Sequence, residues 1–219
     1  MWCKSHYWLM SLKIIEPIEF LCENNHYLID GKKYYRVTKI KSIIKNDGLV
    51  SWQVSMGRKK AYEIMKKRRE FGTRLHKLYQ LILYNKKINS KNYDKETQDS
   101  LKLFKDFISE YDIKPELLEQ HLWSDKYNYA GTADFIGYID GKLMIGDWKT
   151  SKNIYPEYWL QLAAYAVAFE ELTNKKVDGC FILMIRDNKK KIEFKTYNEI
   201  SNEFEIFKAC IKIYSWLNK

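Results

Sequence analysis

Residues 131–149 read GTADFIGYIDGKLMIGDWK, and two alternating runs on either side of Asp140-Gly141 predict an antiparallel hairpin with a two-residue turn. The turn sets the register. Ile139 faces Lys142, Tyr138 faces Leu143, and counting back places Asp134 opposite Asp147 and Thr132 opposite Lys149. Cross-strand Cβ atoms lie about 4.5–5.5 Å apart, where two carboxylates destabilise a sheet unless a cation or a proton sits between them. A hard divalent cation with oxygen ligands, magnesium or manganese, meets that need. Alternation puts Asp147 and Lys149 on one face, with Ile136, Tyr138, Leu143 and Ile145, and Trp148 on the other. A lysine beside such an ion can hold or activate a water and offset charge developing on a phosphate. The hairpin therefore reads as a divalent-metal phosphodiesterase centre.

Outward from it, Pro156 is placed to open a helix to about Leu172 that carries Gln161 and Tyr165 one turn apart. Gly179 to Arg186 and Lys191 to Tyr197 alternate as two further strands, separated by residues 187–190. Glu199 to Leu217 predicts an amphipathic helix with Phe204, Phe207, Ile211 and Tyr214 inward. Upstream, a strand is expected from about Glu119 to Ser124, after a turn or short helix opened by Pro115. Before it comes a helix from Lys95 to Tyr111 with Leu101, Phe104, Phe107 and Ile108 facing the core. Phe71-Gly72-Thr73 is expected to divide a basic helix over 49–70 from a second helix, Thr73 to Tyr84, presenting His76 and Gln80 on one face. Tyr27 to Val37 forms another hairpin around Asp30-Gly31, and Thr38 caps a short helix over 39–45 that stops at Asn46-Asp47-Gly48.

The composition, 46% hydrophobic and 30% charged over 219 residues, supports a single α/β domain with one well-buried core. Residues 1–70 form an N-terminal elaboration with the basic helix, and 71–219 the catalytic core. The net charge of +10 points to a polyanionic partner, nucleic acid first and an anionic membrane surface second. Most of the positive charge is lysine, which suits backbone contact better than base reading. Cys3, Cys22, Cys180 and Cys210 lack Cys-x-x-Cys spacing, which argues against structural zinc or an iron–sulfur cluster. No apolar run reaches the roughly 18 residues of a membrane span, and Met1 to Leu12 is too polar for a secretory signal. A reduced, intracellular protein with no membrane partner is expected, and mitochondrial targeting stays open.

Taken together, Gly131-Thr132-x-Asp134, Gly146-Asp147-Trp148-Lys149-Thr150 and Gln161-x-x-x-Tyr165 resemble the PD-(D/E)XK nucleases, in particular their RecB-like exonuclease branch. The resemblance covers about Val37 to Tyr165. It implies a restriction-endonuclease-like fold, a mixed central sheet flanked by helices. It implies Asp134 and Asp147 as metal ligands, Lys149 as the catalytic lysine and the carbonyl of Trp148 completing the metal shell. The branch also has a Gly-Thr-x-x-His helix, here Gly72 to His76, which adds His76 to the ligands, while Gln80 stands where relatives often carry an acid. Glu119 resembles the acid that relatives place on the preceding strand. Gln161 and Tyr165 then contact substrate or orient the site. Thr150, Arg74 and Arg69 are further candidates for substrate binding.

The reading that follows is a magnesium- or manganese-dependent deoxyribonuclease acting on DNA ends or single strands in recombination, repair or replication, with no nucleotide cofactor. With no Walker motif present, unwinding would come from a recombination or replication partner. The Lys, Asn, Ile and Tyr bias suits an AT-rich genome, a viral one among them. A structure-specific endonuclease of the same fold and a non-catalytic nucleic-acid-binding module are the alternatives.

Overall fold

Three two-residue turns, each with both φ angles positive, set the local frame: Asp30-Gly31 (47° and 79°), Asp140-Gly141 (49° and 78°) and Asp187-Asn188 (50° and 57°). Such turns match the right-handed twist of the strands they join. The computed structural model describes residues 20–22, 26–44 and 47–218. The opening segment 1–19, with Cys3, and the expected helix end at Lys45-Asn46 lie outside them.

The strands are β1 (Phe20–Cys22), β2 (His26–Ile29), β3 (Lys32–Arg36), β4 (Ile113–Ser124), β5 (Tyr129–Ile139), β6 (Lys142–Lys149), β7 (Gly179–Arg186) and β8 (Lys189–Thr196). The helices are α1 (Val37–Lys41), α2 (Asp47–Met56), α3 (Arg58–Leu83), α4 (Lys95–Glu110), α5 (Pro156–Thr173) and α6 (Tyr197–Leu217). The sheet runs β1-β2-β3-β5-β6-β7-β8, with β4 also paired to β5. The β3–β5 and β6–β7 pairs are parallel and the rest antiparallel, so the sheet is mixed.

Helices cover both faces. Val37 and Ile40 of α1, the Ala- and Leu-rich face of α5 and Phe204, Phe207 and Tyr214 of α6 pack on Ile136, Leu143 and Ile145. On the other face Leu75, Leu78 and Tyr79 of α3 and Leu101, Phe104 and Phe107 of α4 pack on Phe135, Trp148 and Phe181. This is the mixed sheet between helices expected of a restriction-endonuclease-like fold. Among the described residues no helix is long and apolar enough to cross a membrane.

Several boundaries differ from the sequence expectation. Gly72 does not break a helix: α3 runs unbroken from Arg58 to Leu83, and the break falls at Gly57, whose φ of 77° no helix accommodates. A Cβ on Gly72 would come within 3.3 Å of Thr150 Oγ1, so this glycine serves close packing instead. Asp47-Gly48 begins α2 and does not end the preceding helix, and α1 starts at Val37 with Arg36, not Thr38, at its N-cap. Pro115 lies inside β4, which reaches back to Ile113. It is tolerated because, among the described residues, β4 pairs with β5 alone and its register shifts between Pro115 and Leu117. The last hairpin turns on two residues, not four, and Ile108 and Ile211 are only half-buried.

The pairing of β5 positions the buried acids. Its pairing with β4 occupies one edge along Tyr129–Ile139, so β3 and β6 must share the other. There β3 stops at Arg36↔Ala130 and β6 stops at Phe135↔Gly146, so residues 131–134 lie in a fork between two ladders.

Candidate metal centre

The β5–β6 register is the predicted one, Ile139↔Lys142 through Phe135↔Gly146, and one further step sets Asp134 opposite Asp147. Beyond Gly146 the ladder gives way to side chains. Asp134 Oδ2 accepts the Trp148 backbone N–H at 2.7 Å, and Oδ1 lies 3.3 Å from His76 Nδ1 on α3. Asp147 Oδ1 accepts from Gln161 Nε2 at 3.2 Å, while Oδ2 is ion-paired with Lys149 Nζ. Both carboxylates are buried, at 9% and 3% exposure.

Glu119 joins them through its backbone. Its φ of 52° is an unusual conformation for a glutamate in a strand, and it falls between Leu118↔Phe135 and Gln120↔Ala133, across from Asp134. Strain of this kind concentrates at functional sites. One ligand atom from each of His76, Glu119 and Asp134 lies within 4.8 Å of the other two. A nitrogen and two carboxylate oxygens on one side, with the Asp147 carboxylate across the strand pair, form a donor set suited to a hard divalent cation. The facing buried acids, with His76 and Glu119 beside Asp134, fit such an ion.

The charges agree with that geometry. Burial works to raise Asp134, but His76 and Lys149 outweigh it and hold its carboxyl below the usual range. Burial pushes Asp147 up; Lys149 opposes the rise and Asp134 adds to it. Burial disfavours the Lys149 ammonium, yet Asp147 and Asp134 overcome this and raise it, so the lysine stays charged. Burial alone would lower His76, and Asp134 lifts it to about 9. Glu119 is pushed up to about 7 by burial and by Asp134.

A pH dependence follows with a definite sign. Below these values His76 and Glu119 hold protons that a bound cation would have to displace, so binding would be weak in acid and tighten as pH rises. Calorimetry with manganese in buffers of different ionisation enthalpy should register release of about two protons per ion near pH 6. Glu119→Gln should remove about one of them. Proton release independent of pH, or unchanged in that variant, would contradict these ligands.

A cavity of about 490 Å³ opens beside the trio, lined by Arg69, Gly72, His76, Gln80, Glu119 and Thr150. Thus Arg69 and Thr150 lie at the centre. Arg74 does not: its guanidinium donates to Asp94 Oδ2 at 2.7 Å and Thr97 Oγ1 at 3.1 Å, at the start of α4. On an unbroken α3 it points away from the face that carries His76. Trp148 contributes its N–H to Asp134, and its ring lies on the opposite face among Tyr79, Phe104, Phe107, Phe135 and Phe181.

Gln161 and Tyr165 are buried on α5, joined by a 3.1 Å hydrogen bond from Gln161 Nε2 to the Tyr165 hydroxyl. Tyr165 fills the fork: a Cβ on Gly131 would come within 2.6 Å of its ring, so only glycine lets the ring lie against β5. Two neighbours escaped the sequence reading. Lys41 of α1 donates to Gln161 Oε1 at 2.8 Å, and Tyr158 carries the ammonium groups of both Lys41 and Lys149, 4.8 and 4.7 Å from its ring centroid. Burial and then Lys149 lower Lys41 to about 8. The available signal was helical spacing: Lys41 follows the inward Val37 by one turn.

No protein-family model matches the chain, and no curated protein matches it. Among solved structures the chain is similar to SSO0001, at 14% identity and a TM-score of 0.39, over 85% of this chain and 77% of that one. It is also similar to an alkaline exonuclease, LHK-Exo from Laribacter hongkongensis, solved alone and in complex with dAMP. That likeness has 11% identity and a TM-score of 0.37, over 84% of this chain and 91% of that one. Likeness of this degree says nothing about chemistry, which rests on the side chains.

Proposed function

We propose that this protein is a magnesium- or manganese-dependent deoxyribonuclease of the PD-(D/E)XK type, acting as an exonuclease on DNA ends or single strands. The observation that carries the reading is the pair of facing buried acids, Asp134 and Asp147, with Lys149 ion-paired to one and His76 and Glu119 gathered around the other. Opposed acids with a charged lysine between strand and solvent have no use in a core that only packs.

Asp134, Glu119 and His76 would hold the cation, with Asp147 reaching it from across the strands. A bound cation would polarise the scissile phosphate and lower the pKa of an attacking water. The chain's own groups do the rest. Lys149, kept charged by Asp147, holds the water's oxygen or meets negative charge as it develops on the phosphate. Gln161 fixes the Asp147 carboxylate through Oδ1 and leaves Oδ2 turned to the lysine. Arg69 and the other bases of α3 hold the phosphodiester backbone beside the cavity, in keeping with the net charge of +10.

The test is incubation with linear and circular DNA, single- and double-stranded, with magnesium, manganese or a chelator. Degradation confined to free ends, lost with chelator, is the expected result. Nicking of circles would instead favour a structure-specific endonuclease, and intact DNA under every metal would leave a binding module.

A further inference from the structure

We infer that Lys41, contributed by the N-terminal segment, is a positioning residue of this centre and acts through Gln161. A side-chain amide has an acceptor end and a donor end, and its neighbours decide which way round it sits. Here the Lys41 ammonium occupies Oε1 at 2.8 Å, so Nε2 faces Asp147 Oδ1 at 3.2 Å and the Tyr165 hydroxyl at 3.1 Å. Turned over, the amide would set oxygen against a carboxylate and N–H groups against an ammonium, exchanging two attractions for two repulsions. Lys41 therefore selects the Gln161 orientation that holds Asp147.

The ammonium is itself firmly placed. It lies 4.8 Å from the Tyr158 ring centroid, on the ring that also receives Lys149. Its helix is anchored by Val37 and Ile40, both fully buried against α5 and α6. Lys41 and Gln161 are 120 residues apart in sequence, so the attitude of a buried acid on β6 depends on a helix far upstream.

The kinetic part of the test rests on the nuclease reading above, and the spectroscopic part does not. Lys41→Met keeps the apolar stem and removes the donor. In ¹⁵N-labelled protein the Gln161 side-chain NH₂ pair, identified by its loss in Gln161→Leu, is expected to shift in Lys41→Met and to move back toward its wild-type position in Lys41→Arg. For DNA cleavage, kcat should fall about 10- to 100-fold with KM unchanged, the scale of a small misplacement at a reacting centre. The double variant Lys41→Met/Gln161→Leu should be no slower than Gln161→Leu alone.

An unmoved NH₂ pair, or additive losses in the double variant, overturns the inference. So does a raised KM with a shallower salt dependence, which would make Lys41 a phosphate contact. If Lys41→Met melts far below the wild type, Gln161→Glu replaces it. Ionised, above the pH at which the two carboxyls share a proton, that side chain still accepts from Lys41 but cannot donate to Asp147; reduced kcat at wild-type melting temperature in that range supports the inference, and wild-type kcat overturns it. Absence of cleavage by the wild type defeats the nuclease reading and leaves the NH₂ shift to decide the role of Lys41.

Discussion

Asp147→Asn is expected to bind DNA as the wild type does and to cleave it at least about 10³-fold more slowly, the scale of losing one charge-stabilising group at a reacting centre. Asparagine preserves the shape. Its carbonyl can still accept from Gln161, but its NH₂ group would face the Lys149 ammonium, so the lysine loses its ion pair and the centre loses one negative charge. The fold should survive. Burial raises the Asp147 carboxyl above its unfolded value, so its ionised form costs stability as pH rises through the folded pKa, and a neutral amide escapes that cost. Asp134 also remains close enough to act on Lys149. Thermal melting, DNA binding and cleavage measured on one preparation separate these effects; wild-type cleavage in the variant would falsify the centre.

The next residue in the chain should behave oppositely. Trp148→Ala is expected to lower stability by about 3–5 kcal/mol, the usual result of truncating a large buried aromatic. The indole is 2% exposed, with ring centroids of Phe104, Phe181 and Phe135 at 5.3, 5.6 and 5.9 Å and those of Phe107 and Tyr79 at 6.2 and 6.3 Å. Alanine would leave a cavity bordered by α3, α4 and β7, elements too rigidly packed to close over it. Urea unfolding provides the measurement, and a loss under about 1 kcal/mol would show that the aromatic cluster does not hold the two layers together. Activity lost in this variant should return under stabilising conditions, whereas that of Asp147→Asn should not.

This opposition between neighbours was legible in the sequence, because a strand sends successive side chains to opposite faces and Asp140-Gly141 allows one register. The short pattern 131–149 therefore set the two acids opposite each other and Trp148 on the other face, while the burial of that ring among α3 and α4 was not in the pattern. What it hid depended on distant partners. Gly72 resembles a helix breaker until Thr150 is seen against it, and the roughly 1 kcal/mol that glycine costs a helix is small beside the packing it permits. Pro115 resembles a turn until β4 proves, among the described residues, to be paired on one edge and to shift register beside the proline. The left-handed backbone of Glu119 has no signature in a residue that is not glycine. Arg74 and Arg69 are both basic residues, and the expected break at Gly72 hid the single helical phase that turns Arg69 to the cavity and Arg74 to Asp94.

The fork in β5 bears on how the protein can be divided. Its N-terminal jaw is β3, paired at Tyr35↔Tyr129 and Arg36↔Ala130, and its continuation α1 delivers Lys41 to Gln161. A fragment limited to residues 71–219 would keep every acid, the histidine and Lys149. It would also have one side of the fork stripped bare, with the edge of β5 next to Asp134 open to water or to a strand from another molecule. β3 and α1 are thus one wall of the chamber, and insertions are better placed at the exposed C-terminal end of α6 than between β3 and α1.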